Sequence, residues 1–280
     1  MKIAGWPRGL VGVLICGAAI TAPAGASLYS TAVLDDSPVG YWRLGESAGT
    51  TVTDSATGGG TQDGTYYGSP TLGEPGALPY DGDTSVRFTP GDGSNDYASV
   101  PDVPMTASFS VEMWVKSATS TWNAHGWWSS ERGANGYIMH PWQGGTAWRA
   151  YVLNNSAGSW DLVGEHDPGS VITDWHHYAL TYDDVEEDAV MYFDGSPVVT
   201  DNSFSRNRDA SSTVQVEIGR DDHTPPTRLG NAWVDEVALY NYALTSNQIA
   251  AHYDAAFLVP EPHTLVLLLL GLAATCPRRR

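Results

Sequence analysis

The sequence predicts an all-β protein: one domain built as a sandwich of antiparallel strands. Three observations carry this. Short runs alternate apolar and polar residues with the period of a strand, most clearly over 109–115 and 176–182. Turn chemistry separates the runs, above all at Asp194-Gly195, a pair suited to the positive φ values of a tight hairpin. Long helical periodicity is missing from the middle of the 280 residues, and that length suits one large β domain or two small ones.

In chain order, the first element is a leader. Lys2 and Arg8 precede an apolar run over 10–20, and Ala24-Gly25-Ala26 places small residues at the two positions a signal peptidase reads. Residues 1–26 therefore read as a secretory signal peptide cleaved after Ala26. The run is too short for a membrane span. A lipoprotein reading through Cys16 fails on Ile15, where a small residue is expected.

The domain follows, over 27–257. Tyr41-Trp42-Arg43-Leu44-Gly45-Glu46 is its first strand signal, and a loop with Asp54-Ser55-Ala56 and Gly58-Gly59-Gly60 comes next. Residues 85–89 and 97–100 flank a polar turn. Asp92, Ser94 and Asp96 alternate there like the start of a calcium loop, but Tyr97 stands where an EF-hand needs glycine and Val103 where it needs the bidentate glutamate. An Asx-rich hairpin turn fits better.

Residues 108–116 form the clearest strand, with Phe109, Val111, Met113 and Val115 on one side and Ser110, Glu112, Trp114 and Lys116 on the other. Between 122 and 148 lie Trp122, Trp127, Trp128, Tyr137, Trp142 and Trp148 among Gly, Ser and Asn. Such backbone runs on the surface, where aromatic faces stack on sugar rings or on a partner; the other reading is that these rings close the core. His125 and His140 have no carboxylate at ligand spacing. Residues 148–153 and 160–163 pair as a hairpin across 154–158.

The run 176–182 places Tyr178, Leu180 and Tyr182 on one face and His177, Ala179 and Thr181 on the other. An acidic spacer that stays exposed, a strand over 189–193, Asp194-Gly195 and a strand over 196–200 follow. Val214, Val216 and Ile218 mark another strand, and 232–240 the last. Thr245 and Gln248 then form a capping box, with Ile249 and Tyr253 on one face of a short helix.

Residues 258–280 read as a sorting signal. Pro260-Glu261-Pro262 precedes an apolar run over 263–275 and a stop at Arg278-Arg279-Arg280. As a helix the run spans roughly 20 Å against a hydrocarbon core of about 30 Å. Three arginines mark the cytoplasmic end.

Several of these runs carry a resemblance. Tyr41-Trp42-x-Leu44-x-Glu46 with Asp54-Ser55-Ala56, the strand from Phe109 through Trp114 to Val115, Trp175-His176-His177 with the later Asp194-Gly195, and Val234-Asp235-Glu236-Val237 through Tyr253 resemble the laminin-G-like, concanavalin A-like jelly roll of secreted bacterial proteins. The match runs from about residue 41 to 256. The tail resembles the PEP-CTERM signal processed by exosortases. The resemblance implies a jelly-roll β-sandwich with one short C-terminal helix, flanked by signal helices at both ends. It also implies one Ca²⁺ at the sandwich rim, with Glu46, Asp54 and Asp235 as its candidate ligands, because the first and last strands of such a fold are neighbours.

Charge and cysteines bound the function. Residues 27–260 hold 9 basic and 31 acidic residues, a net of −22. That body repels nucleic acid and anionic lipid and suits an extracellular protein. Cys16 and Cys276, the only cysteines, both lie in the end segments, so the mature domain has no disulfide, thiolate metal site or cysteine nucleophile. A hydrolase of this fold needs carboxylates alternating on one strand, whereas Asp235-Glu236 reads as adjacent acids on opposite faces. A Gly-x-Ser-x-Gly elbow is absent. The expectation is an exported, surface-sorted binding module, not an enzyme. Its ligand is an extracellular glycan or a surface protein, its ligand-binding candidates are Trp122, Trp127, Trp128 and Trp142, and its processing partners are signal peptidase and an exosortase-type enzyme. The alternatives are a glycoside hydrolase of the same fold and a structural envelope or biofilm matrix protein.

Overall fold

A computed structural model of the chain describes residues 27–57, 61–89, 96–122, 128–129, 136–142, 145–154, 159–204, 212–220 and 231–259. Helix α1 (Leu28–Asp35) comes first. The strands follow as β1 (Gly40–Trp42), β2 (Thr51–Val52), β3 (Gly64–Tyr67), β4 (Thr71–Pro75), β5 (Thr84–Phe88), β6 (Tyr97–Met105), β7 (Phe109–Ser117), β8 (Trp128–Ser129), β9 (Tyr137–Pro141), β10 (Trp148–Asn154) and β11 (Ser159–His166). After a short 3₁₀ turn come β12 (His176–Asp183), β13 (Asp188–Phe193), β14 (Ser196–Asp201), β15 (Ser212–Ile218), β16 (Ala232–Tyr240) and helix α2 (Ser246–Ala255).

The strands make two antiparallel sheets. Sheet A runs β14-β13-β12-β7-β16-β5-β4, with β1 also on β16; sheet B runs β11-β10-β9-β8-β15-β6-β3-β2. The first and last strands are neighbours as expected, Trp42 lying opposite Val237. Between the sheets lies the main core. Phe109, Val111, Met113 and Val115 of β7 enter it with Tyr178, Leu180 and Tyr182 of β12, and sheet B adds Val214, Val216 and Ile218. These are the alternating residues of the sequence, so the pleat alone assigns them.

Sheet A is buried on its other face as well. Its outward residues include Tyr41, Trp114, Ala179, Tyr192 and Tyr240, too apolar to face water, and α1 and α2 cover them with Tyr29, Val33 and Ile249. Helix α1 is a correction, since one helix was expected in the domain and two are present among the described residues. Its signals were short: Ser27 caps it by accepting from Ser30 N at 3.0 Å, Tyr29 and Val33 repeat at i, i+4, and Pro38 follows. Helix α2 starts on the expected capping box. Gln248 N donates to Thr245 Oγ1, and Thr245 N donates back to Gln248 Oε1 at 2.9 Å.

The β13–β14 turn holds Asp194 at φ 48 and Gly195 at φ 73. Glycine is needed there twice over, because a Cβ on Gly195 would lie 2.8 Å from Tyr253 Cβ of α2. The acidic β12–β13 turn is exposed, as its charge requires, with Val185 at its tip. The hairpin expected around 89–96 is a correction, because β5 pairs in sheet A and β6 in sheet B; residues 90–95 lie outside the described residues, and the buried Asp96 accepts from Ser69 N at 2.7 Å and Thr89 N at 3.3 Å. Residues 1–26, 58–60 and 260–280, with the leader, the glycine run and the tail motif Pro260-Glu261-Pro262, lie outside the described residues. No helix among the described residues is long and apolar enough to cross a membrane.

Candidate functional site

The two faces of the molecule differ. The helices cover much of the outer face of sheet A, which holds two buried charge clusters. The second core has no member from sheet B, whose outer face carries aromatic and charged side chains.

The first cluster lies where β1 meets β16. Arg43 reaches three carboxylates: Asp81 Oδ2 at 2.5 Å, Asp83 Oδ2 at 2.9 Å and Glu236 Oε1 at 2.8 Å. The Tyr41 hydroxyl also donates to Glu236. A β-bulge sits between Asp235 and Ala238, with Glu236 at φ 53. Val234 and Val237 both face the main core, so the bulge turns both acids between them outward. Asp235 and Glu236 thus share a face, which corrects the reading of opposite faces. Both are buried, and burial together with their mutual repulsion raises the pair above the usual carboxylate range. We assign the shared proton to Asp235. Its Oδ2 accepts from Ala77 N at 2.7 Å, but its Oδ1 has no partner among the described residues, while Glu236 has the guanidinium and the phenol.

The second cluster ties the helices to the sheet. Glu112 is fully buried on β7. It accepts from His177 Nε2 at 3.0 Å, from His252 Nδ1 at 2.9 Å and from the Tyr240 hydroxyl. His252 Nε2 lies 3.0 Å from Asp36 Oδ2 at the end of α1. With a carboxylate at each ring nitrogen, both must donate, so His252 is an imidazolium. Burial alone would lower its pKa; the Glu112 and Asp36 charges overcome this and raise it to about 9. For Glu112, burial opposes the charge, but the two histidines hold it well below the usual carboxylate range.

The acids named as calcium candidates each have hydrogen-bond partners of their own, Asp235 at Ala77 N. Glu46 accepts from Thr53 N and the Tyr66 hydroxyl, each at 2.8 Å. Asp54 accepts from Tyr41, Ala56 and Gln62 N–H groups, each at 2.9 Å, and so shapes the loop after β1. Among the described residues no three His, Cys, Asp or Glu side chains gather as a metal site.

Of the tryptophans, Trp122 is a correction. It is buried edge-on against Trp148 at 5.7 Å, and its Nε1 donates to Thr146 O at 3.2 Å. Its backbone N–H donates to Gly145 O at 2.8 Å, so both its ring and its backbone are tied to the 145–146 segment. Trp127 lies outside the described residues. Of Trp128 only the backbone is described, paired opposite Met139 and Ile218. Trp142 is 41% exposed on the outer face of sheet B. The Arg149 guanidinium stacks on it at 3.6 Å, and Glu165 Oε2 holds Arg149 Nε at 2.5 Å. His140 lies parallel to Tyr151 at 5.5 Å in the adjacent row.

Toward the other edge of this face, Tyr67 stacks on Tyr97 at 4.7 Å and Arg220 covers the Tyr97 ring at 3.4 Å. The nearly buried Glu217 holds Arg220 and also accepts from Gln215 Nε2 at 2.9 Å. The outer face of sheet B thus presents aromatic rings braced by charge, the chemistry that holds a ring-shaped polar ligand or a protein side chain. Of this set only Trp142 was named from sequence as a ligand-binding residue. Tyr97, Arg149 and Arg220 become visible through cross-strand register.

Comparison with known proteins agrees with this fold. The receptor-binding domain of botulinum neurotoxin D superposes with a TM-score of 0.59 at 11% identity, over 80% of this chain and 54% of that one. The binding domain of botulinum neurotoxin DC in complex with rat synaptotagmin II gives 0.58 at 11%, over 80% and 52%. A structure reported with the dependence of botulinum neurotoxin type C cell entry on two ganglioside molecules gives 0.59 at 11%, over 80% and 52%. The chain spans about half the length of these structures, and at this identity they speak for the fold alone. A search of curated proteins gives no match. A family model described as the concanavalin A-like lectin/glucanases superfamily matches residues 92–250, which includes β7, the β12–β14 hairpins, β16 and the start of α2. With that match covering more than half of a sandwich of this topology, the chain belongs to the concanavalin A-like lectin/glucanase superfamily.

Proposed function

We propose that this protein is an exported, surface-sorted, non-catalytic binding module that takes an extracellular glycan or a surface protein on the outer face of sheet B. One observation carries the reading: Trp142 is exposed above Arg149, Glu165, His140 and Tyr151, an aromatic surface ringed by hydrogen-bonding groups. A ring stacks on a pyranose face while the guanidinium and carboxylate take hydroxyls. The structurally similar neurotoxin domains, reported with gangliosides and with synaptotagmin, support a binding role. The paired acids that a hydrolase would need, Asp235 and Glu236, are enclosed beneath Arg43 and Tyr41, away from that face.

The test is binding of the mature domain to a glycan array and to surface-protein fractions. Trp142→Ala should weaken the strongest interaction about tenfold, the equivalent of about 1.4 kcal/mol. Unchanged binding by that variant would remove sheet B as the site.

Export rests on residues 1–26 and 258–280. Ser27 supplies the cap of α1, which suits a mature chain beginning there. N-terminal sequencing of the exported protein should read from Ser27, and its intact mass should lack Arg278 to Arg280. A retained arginine tail would make the segment an anchor.

A further inference from the structure

One row of side chains on the outer face of sheet A plays no part in these clusters. Arg87 of β5, Trp233 of β16 and Lys116 of β7 are directly opposite one another across three neighbouring strands. Trp175 continues the row, because the next residue, His176, pairs with Val115. Cation and indole alternate along it. Arg87 lies 4.6 Å from the Trp233 ring centre, and Lys116 Nζ lies 4.4 Å from Trp233 and 5.1 Å from Trp175. All four side chains are half-buried.

The cations here differ from the other described ones. Arg43, Arg149 and Arg220 each hold a carboxylate. Among the described residues, neither Arg87 nor Lys116 has a carboxylate within ion-pairing distance. Arg87 Nε is buried with no hydrogen-bond partner among the described residues. Glu74 takes the Trp233 Nε1–H at 2.9 Å, and with Asp174 it acts on Lys116 only across space. Partial burial lowers the Lys116 pKa, so holding the charge there has a cost. In a domain with 31 acids, two adjacent cations with no carboxylate paired to them among the described residues are conspicuous. The indole between them does not neutralise them. Its ring edge carries the positive end of the quadrupole and favours an anion above it.

We propose that this row is a second binding site, for an acidic glycan whose carboxylate or sulfate groups pair with Arg87 and Lys116 across Trp233. The ring faces already hold the cations, so neutral sugars gain little by stacking there, and recognition falls on the anionic group. The acidic body repels a densely charged chain at long range, so the site favours a glycan with well-spaced charges. Uronic acids and sulfated sugars share this chemistry, and the test separates them.

The mature domain is applied to immobilised oligosaccharides in three sets: uronate-bearing, sulfate-bearing, and the matched neutral backbones. Retention on an anionic set above the neutral one is expected, with indole fluorescence changing on binding. Arg87→Gln with Lys116→Gln should lower that retention at least tenfold, while Lys116→Arg keeps it. Melting curves show whether the double variant is folded; if it is not, acetylating lysines in the unmodified domain, with and without a protecting anionic oligosaccharide, reads the same site. Retention on one anionic set identifies carboxylate or sulfate as the ligand group. Equal retention on neutral and anionic sets, retention only on acidic proteins, or undiminished retention by a folded double variant would overturn the proposal. The inference does not depend on the sheet B reading: Trp142→Ala tests one face, and the Arg87/Lys116 variants test the other.

Discussion

Glu112→Ala is expected to destabilise the domain by about 3–5 kcal/mol, the cost of removing one partner from a buried ion pair. At about 2–4 °C per kcal/mol for a domain of this size, melting should fall by roughly 10 °C. The reason is local. Without Glu112, the His252 imidazolium keeps only Asp36, and both the Tyr240 hydroxyl and His177 Nε2 lose their acceptor inside the layer that docks α1 and α2. Titration gives an independent readout. His252 has a folded pKa near 9, above its unfolded value, so its stabilisation is complete below the ordinary histidine range and is lost as pH rises through about 9. Glu112 is shifted the other way; its stabilisation is complete above the ordinary carboxylate range and is lost as pH falls below it. Thermal melts between about pH 2 and 10 should show both limbs in the parent, whereas Glu112→Ala should lose the acid limb of Glu112 and keep only the part of the alkaline limb that Asp36 sustains. A variant that melts within a degree or two of the parent would mean the cluster is incidental to docking.

Much of this architecture is legible in the sequence, for a simple reason. A strand facing a core writes its pattern locally, so residues 109–115 and 178–182 announce their inward faces. Asp194-Gly195 and the Thr245–Gln248 box are likewise local chemistry. The outward side of the same strands is not legible. Glu112 shows in the sequence only as a position on the other side of its strand, because its partners His177 and His252 are 65 and 140 residues away. The covering helix α1 has 8 residues and two core positions at helical spacing, too few to show a period. Trp122 and Trp142 read alike, as aromatics in a Gly-rich stretch. Only the fold separates them, burying Trp122 and leaving Trp142 exposed. The bulge at Glu236 hides for a different reason. Strict alternation puts Asp235 and Glu236 on opposite faces, and nothing in Val-Asp-Glu-Val indicates the extra residue.

That bulge sets the last expectation. Arg43→Met should also cost about 3–5 kcal/mol near neutral pH, because it strands Glu236 among Asp81, Asp83 and Asp235 with one phenol as its donor. The loss should depend on pH with a definite sign. The Asp235–Glu236 pair and Asp83 have folded pKa values raised above their unfolded ones, so the folded state binds more protons between the ordinary carboxylate range and about pH 7. Stability falls as pH rises through that window, and more steeply without the guanidinium. Arg43→Met should therefore recover much of its stability on mild acidification. Asp235→Asn is the complementary change. It keeps the shape of a protonated acid, retains an oxygen to accept from Ala77 N, and removes one titrating partner. It should flatten the parent's loss of stability between about pH 4.5 and 7 and leave the domain more stable than the parent at pH 8. Denaturant melts of the three proteins across that range decide the matter. If Asp235→Asn melts below the parent at pH 8, Asp235 carries a charge that Arg43 needs, and the proton belongs on Glu236 instead.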